Sequence, residues 1–323
     1  TLGGAPAIEL PGYWMDRYEV SNREFQEFVD AGGYDYPALW PAPFEDAGRE
    51  LELDEAMARF VDRTGRPGPA TWEVGRYPDG EGDLPVRGVS WYEAAAYAAW
   101  ADKALPTVYH WRHATGPGVF AEILTLSNFD GDGPAPAGEF AGLSTYGTYD
   151  MAGNVKEWCH NRRGDLRYTL GGAWDEAPYL FDEADARSPF DRSPNLGFRC
   201  VRYPEPPPER STAPLAATRY DFSGVEPVSD EVYAVFARQY AYGARDLDAR
   251  VELVDDSATH WLRETVSFTP GYDGDRMIAH LILPRHASPP YQAVVLRPGG
   301  AVNWLDRVED WISTMPEFIP RRG

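Results

Sequence analysis

Apolar residues recur at helical spacing in three short stretches of the first part of the chain, each behind a residue suited to cap it. In SNREFQEFVDAGG, Ser21 stands as the N-cap with Glu24 three residues on, a capping box, and Phe25, Phe28 and Val29 form the stripe that Gly32 ends. VSWYEAAAYAAWADK repeats the device with Ser90 and Glu93 ahead of an alanine-rich helix that carries Tyr97 and Trp100, and PTVYHWRHAT uses Thr107 as its cap. Residues 34–88 are rich in Pro, Gly and charge, which predicts irregular structure with a short helix near Asp54 to Arg63. From about 116 to 203, segments such as YGTYDMAGNVKEW, RYTLGGAW and NLGFRCVRY alternate with Gly and Pro, the pattern of short strands and structured loops.

PEPPPERSTAP, Pro204 to Pro214, interrupts this pattern with a stiff, polyproline-like stretch that cannot join a sheet interior. It divides the chain into a domain at 1–203, a linker at 204–219 and a second region at 220–323. In that region SDEVYAVFARQY predicts a capped helix from Ser229, with Val232, Val235 and Phe236 on one face. ARVELVDD, RETVSFTP and RMIAHLILP predict strands, the last two joined through GYDGD, and YQAVVLRPGG predicts a short buried strand ending in a Pro-Gly-Gly turn. No internal repeat is present.

Thirty basic and 51 acidic residues give 323 residues a net charge of −21, a field that repels phosphate, so no nucleic-acid partner is expected. The acids are scattered, as on a solvated surface, and only two of the basic residues are lysines, Lys103 and Lys156. Eleven Trp and 19 Tyr beside 31 Gly and 29 Pro predict a loop-rich fold held by aromatic plugs. No window has the roughly 18 consecutive apolar residues of a membrane span. The first residues do not read as a signal peptide, and both ends read as cut from a longer chain. Cys159 and Cys200 allow one disulfide at most and are read as buried thiols, with that disulfide as the alternative. The compartment is left open.

Four segments in order, YWMDRYEVSNREFQEFV (13–29), PVRGVSWYEAAAYAAWADKALPTVYHWRHA (85–114), YGTYDMAGNVKEW (146–158) and GGAW…NLGFRCVR (171–202), resemble the formylglycine-generating enzyme (sulfatase-modifying factor) family. The resemblance implies that family's variant of the C-type lectin fold, α+β with little regular secondary structure. Active members of the family oxidise a cysteine of a sulfatase peptide with oxygen and a copper ion held by two cysteines, soft ligands suited to Cu(I). Carried onto this chain by their spacing from the Gly-Gly turn, the two thiol positions are Glu176 and Phe181. A carboxylate is a hard ligand and a phenyl ring is none, so copper is not expected and the oxidation is expected to be absent. No catalytic residue is assigned. Trp174, Asp175, Glu176 and Phe181 mark where the family's peptide groove would lie. Asp175, Glu176, Asp182, Glu183 and Asp185 form either an acid/base constellation or a solvated acidic loop.

The resemblance also implies calcium at AGNVKEW, through Gly153, Asn154, Val155 and the Glu157 carboxylate, in the hard-oxygen environment calcium prefers. The alternative is a tight turn capped by Glu157. A second family calcium site begins at Asn128, but its acidic residues are shortened away in FDGDGPAPAGEF. His110 and His113 share a helix face, where a first-turn structural role is expected over metal binding, and Asp16, Arg17 and Glu19 of DRYEV are expected to form a buried ion pair.

Residues 220–323 resemble the leading, β-rich part of an α/β-hydrolase domain, with Arg297 and Pro298 ahead of the Gly299–Gly300 turn and no G-x-S-x-G elbow. The combination resembles bacterial proteins in which a Ser/Thr kinase precedes such domains. The expectation is a catalytically silent module that binds a peptide or small-molecule ligand and works with upstream and downstream domains of its own chain. The alternatives are a divergent metal-dependent oxidase, a serine hydrolase completed beyond residue 323, and a structural spacer.

Overall fold

Ser21 and Ser90 cap the first and longest helices of the domain. In the computed structural model, which describes residues 7–116, 123–129, 131–215, 223–241, 246–270 and 276–295, α1 spans Asn22–Asp30, α2 Leu53–Met57, α3 Trp91–Trp100 and α4 Val108–Thr115. Ser21 and Ser90 each accept from the backbone N–H of Glu24 and Glu93 and receive the carboxylate in return, so both capping boxes form. Thr107 caps α4 by accepting from His110 N–H. The short helix expected near Asp54 to Arg63 is α2.

The chain divides into two compact units, 1–221 and 222–323. In the first, β4 (Lys156–Arg163) is the hub of a four-stranded sheet. It pairs antiparallel with β5 (Leu166–Leu170), which pairs antiparallel with β6 (Asp185–Arg187), and parallel with β7 (Leu196–Gly197). Trp158, Thr169 and Asp185 lie opposite one another across the three antiparallel strands, so their side chains share a face. Two smaller ribbons, β1 (Trp14–Met15) with β8 (Val201–Arg202) and β2 (Phe44–Asp46) with β3 (Arg49–Leu51), complete a mixed α+β unit.

Aromatic side chains carry the packing. Phe25 stacks on Tyr97 and meets Phe28 and Trp72 edge-on, all within a first core that α1 and α3 share. A second core gathers Val108 and Trp111 of α4, Met151, Cys159, Leu170 and Phe181. Two arginines tie loops to these cores. Arg192 binds the Glu93 carboxylate at 2.8 Å and the carbonyls of Arg59, Val61 and Gly68. Arg199, fully buried, binds Glu157 and the carbonyls of Asp16, Arg17 and Tyr149.

The Pro-rich segment departs from expectation in its near half. Residues 204–215 lie on the first unit: Asn161 of β4 donates to Ser211 O at 2.7 Å and Ala213 O at 3.0 Å, and Leu215 N–H donates to Arg162 O. Glu209–Thr212 form a single helical turn, and the carbonyls of Ser211 and Ala213 at its C-terminal end, which have no partner within so short a helix, are taken by the buried Asn161 carboxamide.

In the second unit, Ser229 caps a helix at Asp230–Ala237, and β9 (Arg250–Asp255), β10 (Trp261–Phe268) and β11 (Met277–Pro284) form an antiparallel sheet in the order β9–β10–β11. The helix forms as expected, and its face of Val232, Val235 and Phe236 is exposed. YQAVV, expected as a buried strand, has no strand structure, and Tyr291, Val294 and Val295 are exposed; among the described residues no strand pairs with them. GYDGD and the Arg297–Gly300 turn lie outside the described residues.

Candidate functional site

The Gly171–Gly172 turn delivers the loop on which the expected thiol positions fall. Gly172 has φ +71°, and a Cβ there would come within 2.8 Å of the Phe129 ring, so the turn closes only on glycine. Trp174 N–H then donates to Asn154 O at 2.9 Å, and a single 3-10 turn at Pro178–Asp182 returns the chain to β6.

Glu176 and Phe181 enter different environments. The Glu176 carboxylate accepts from Lys156 Nζ at 2.6 Å, and Lys156 is only 4% exposed. Asp185 lies 3.6 Å from the same ammonium and 2.9 Å from Arg187 Nε. Burial alone would raise the Asp185 pKa, but Lys156 and Arg187 hold it below the ordinary carboxylate range. Phe181 is buried in the second core, its ring tilted against Trp111 at 6.3 Å. One thiol position is therefore an ion pair and the other is a hydrophobic plug.

The five acids of this loop do not converge. Asp175 is exposed and accepts from Asn195 Nδ2 at 3.0 Å, Asp182 pairs with Arg112 at 2.8 Å, and Glu183 is exposed. Only Glu176 and Asp185 share a partner. Around them four buried polar atoms find no protein partner: Thr169 Oγ1, Trp174 Nε1, Glu176 Oε2 and Asn195 Oδ1.

Four of the five residues assigned to calcium come together, around protein hydrogen bonds. Asn128 Nδ2 and Ala135 N–H donate to Asn154 Oδ1, Asn154 N–H donates to Asn128 O, and Asn154 Nδ2 and Val155 N–H donate to Glu19. Gly153 N–H donates to Gly171 O. Glu157 stands apart: its carboxylate accepts from Arg199 at 2.7 Å and Trp111 Nε1 at 2.7 Å, with no exposure. A guanidinium at that distance opposes a second cation, so this donor set does not fit calcium. Among the described residues no three His, Cys, Asp or Glu side chains group as metal ligands.

Glu19 is the acid that serves the Asn154 turn. Burial, with Asp150 and Glu157 nearby, raises its pKa well above the usual range. The ion pair expected within DRYEV does not form, since Arg17 is exposed and Asp16 instead binds Lys103 at 2.8 Å. His110 is a structural residue: Nδ1 lies 2.6 Å from Thr107 Oγ1, and burial, with His113 adding to it, pushes its pKa down to about 4. His113 faces Tyr13 OH at 2.7 Å. Both cysteines are buried free thiols whose pKa burial raises. Sequence reasoning missed Lys156, Arg187 and Asn195, although a lysine inside AGNVKEW in a chain with two lysines was a signal.

Residues 4–204 match the sulfatase-modifying factor enzyme 1-like domain. The chain belongs to this family. The sulfatase-modifying-factor-like domain here is 33% identical to the formylglycine-generating enzyme of Thermomonospora curvata, over 62% of this chain and 86% of that protein. It is 30% identical to the inactive C-alpha-formylglycine-generating enzyme 2 of Mus musculus, over 62% of this chain and 78% of that protein. The hercynine oxygenase of Mycolicibacterium smegmatis is 32% identical over 54% of this chain, and the match spans only 48% of that protein's length. Identity is thus similar toward active and inactive relatives, and the residues at the site have to discriminate. Among the described residues no helix is long and apolar enough to cross a membrane.

Proposed function

We propose that residues 1–215 form a non-catalytic sulfatase-modifying-factor-like domain that binds a peptide or small-molecule ligand on behalf of a larger, multidomain protein. One observation carries this reading: the two positions matched to the family's thiols hold the Lys156–Glu176 ion pair and the buried Phe181 ring. Cys159 and Cys200 are buried thiols with raised pKa, so neither offers a ready thiolate. The likeness to a relative named as inactive is compatible with this reading. A Ser/Thr kinase upstream and a hydrolase-like region downstream remain the proposed setting, on the resemblance alone.

The likeness to hercynine oxygenases favours a second reading, an oxygen-consuming enzyme that uses other residues. One experiment separates the two. The full chain, incubated with copper, oxygen and a sulfatase-type cysteine peptide, is expected to leave the peptide unchanged by mass spectrometry. Conversion of the cysteine to the aldehyde overturns the non-catalytic reading. Oxygen uptake without that conversion would move support to the second.

A further inference from the structure

Arg162 and Arg167 stand directly opposite each other where β4 and β5 close their hairpin, so two guanidinium side chains share one face of the ladder. Like charges so placed repel. Glu45 of β2 forms an ion pair with Arg162 and not with Arg167. The Arg167 guanidinium instead lies over the Trp91 ring, 3.5 Å from its centroid, and donates through Nη1 to His160 O at 2.7 Å. Its Nε and Nη2 donate to no group among the described residues. The side chain is only partly buried, so both remain within reach of a ligand.

Contacts close these groups into one ring. Arg162 holds Glu45, and the Glu45 N–H donates to the Tyr92 hydroxyl at 2.7 Å. Tyr92 follows Trp91 in α3, Trp91 carries Arg167, and the ladder returns to Arg162. Two cations and one carboxylate leave this ring one negative charge short. The neighbouring groups do not supply it. Asp46 pairs with Arg59 at 2.7 Å, and Asp165 at the hairpin turn is exposed. Arg163 turns to the other face, over the Tyr168 ring at 5.8 Å. Burial, with Arg167 adding to it, lowers the His160 pKa, so that imidazole is uncharged at neutral pH. Burial and the Arg162 charge push the Arg167 pKa down to about 10, the direction expected of a cation without its anion.

We propose that Arg167, on its Trp91 platform, and Arg162 together bind the carboxylate of a small organic acid. A guanidinium fork matches the two oxygens of a carboxylate, and a single negative charge completes the ring without repulsion from Glu45 beyond what Arg162 already offsets. The net charge of −21 does not forbid an anion here, because charges beyond about 8 Å are screened at physiological salt. The site lies about 20 Å along β4 from Lys156, at the far end from the Gly171–Gly172 turn, so it stands whether or not the domain is catalytic.

NMR titration of the full chain with acetate, acetamide and inorganic phosphate at constant ionic strength tests the proposal through the arginine Nε–H resonances. The Arg167 resonance is assigned by its loss in Arg167→Lys. It is expected to shift saturably, with 1:1 stoichiometry, on addition of acetate and not of acetamide. Arg162→Gln should weaken acetate binding about tenfold, as for loss of a charge-assisted hydrogen bond. Arg163→Gln, on the other face of the same hairpin, should leave it unchanged. Arg162 is partly exposed, so its variant keeps the test valid even if a change at Arg167 disturbs folding. Absence of saturation, equal action of acetamide, or binding untouched by Arg162→Gln overturns the proposal, and tighter binding of phosphate than of acetate overturns the choice of a carboxylate.

Discussion

Acidification should destabilise the first unit through His110, by an amount its surroundings fix. The ring is 1% exposed, with Tyr13 and Tyr203 edge-on at 4.7 and 4.8 Å. Nδ1 faces Thr107 Oγ1 and, at 3.3 Å, Tyr203 OH, and the neighbouring titratable group is a second imidazole, His113. Burial depresses the pKa from 6.5 to about 4. The unfolded chain therefore takes up a proton that the folded chain refuses, and stability falls as pH drops from 6.5 toward 4. At 1.36 kcal/mol per pKa unit the whole effect is about 3 kcal/mol, and about 2 kcal/mol of it falls between pH 7 and pH 5. Glu19 and Asp150, whose pKa values burial raises, contribute with the opposite sign, so a bare pH profile would mix the terms. The assay is urea unfolding at pH 7 and pH 5 for the wild-type chain and for His110→Gln, which retains hydrogen-bonding capacity and does not titrate. The wild type should lose about 2 kcal/mol more than the variant over that interval. Equal losses, or an NMR titration placing the His110 pKa near its ordinary value, would refute the reasoning.

Two substitutions test the buried framework. Arg199→Met leaves the Glu157 carboxylate unexposed and uncompensated, and should cost about 3–5 kcal/mol in urea unfolding. Gly153→Ala places a Cβ 2.2 Å from Asn128 O at φ +75°, so the Asn128–Asn154 turn must open. Its unfolding midpoint should fall by an amount equivalent to at least about 2 kcal/mol.

Legibility in the sequence followed the range of the interaction. Both capping boxes join residues three apart, and the stretches around Ser21 and Ser90 show them without reference to the rest of the chain. The positions of Glu176 and Phe181 followed from their distance to Gly172. Their environments did not, because Lys156, Arg187 and the Trp111 ring arrive from β4, β6 and α4. Glu157 was assigned to a cation by its neighbours in AGNVKEW, whereas its partner is Arg199, 42 residues away. The Pro-rich segment misled for another reason: its attachment runs through backbone carbonyls, which composition does not encode. The apolar stripe at Val232, Val235 and Phe236 was legible as one helix face, whereas its exposure depends on the rest of the fold and was not.

Asn161 joins three parts of the first unit through one carboxamide. Its Oδ1 accepts from Val108 N–H at the start of α4 at 2.9 Å, while its amide holds Ser211 and Ala213. Tension applied to the chain beyond residue 215 is therefore delivered into β4 and the first turn of α4, not taken up by slack in the prolines. It follows that a cut after residue 203 would strip two acceptors from a buried amide.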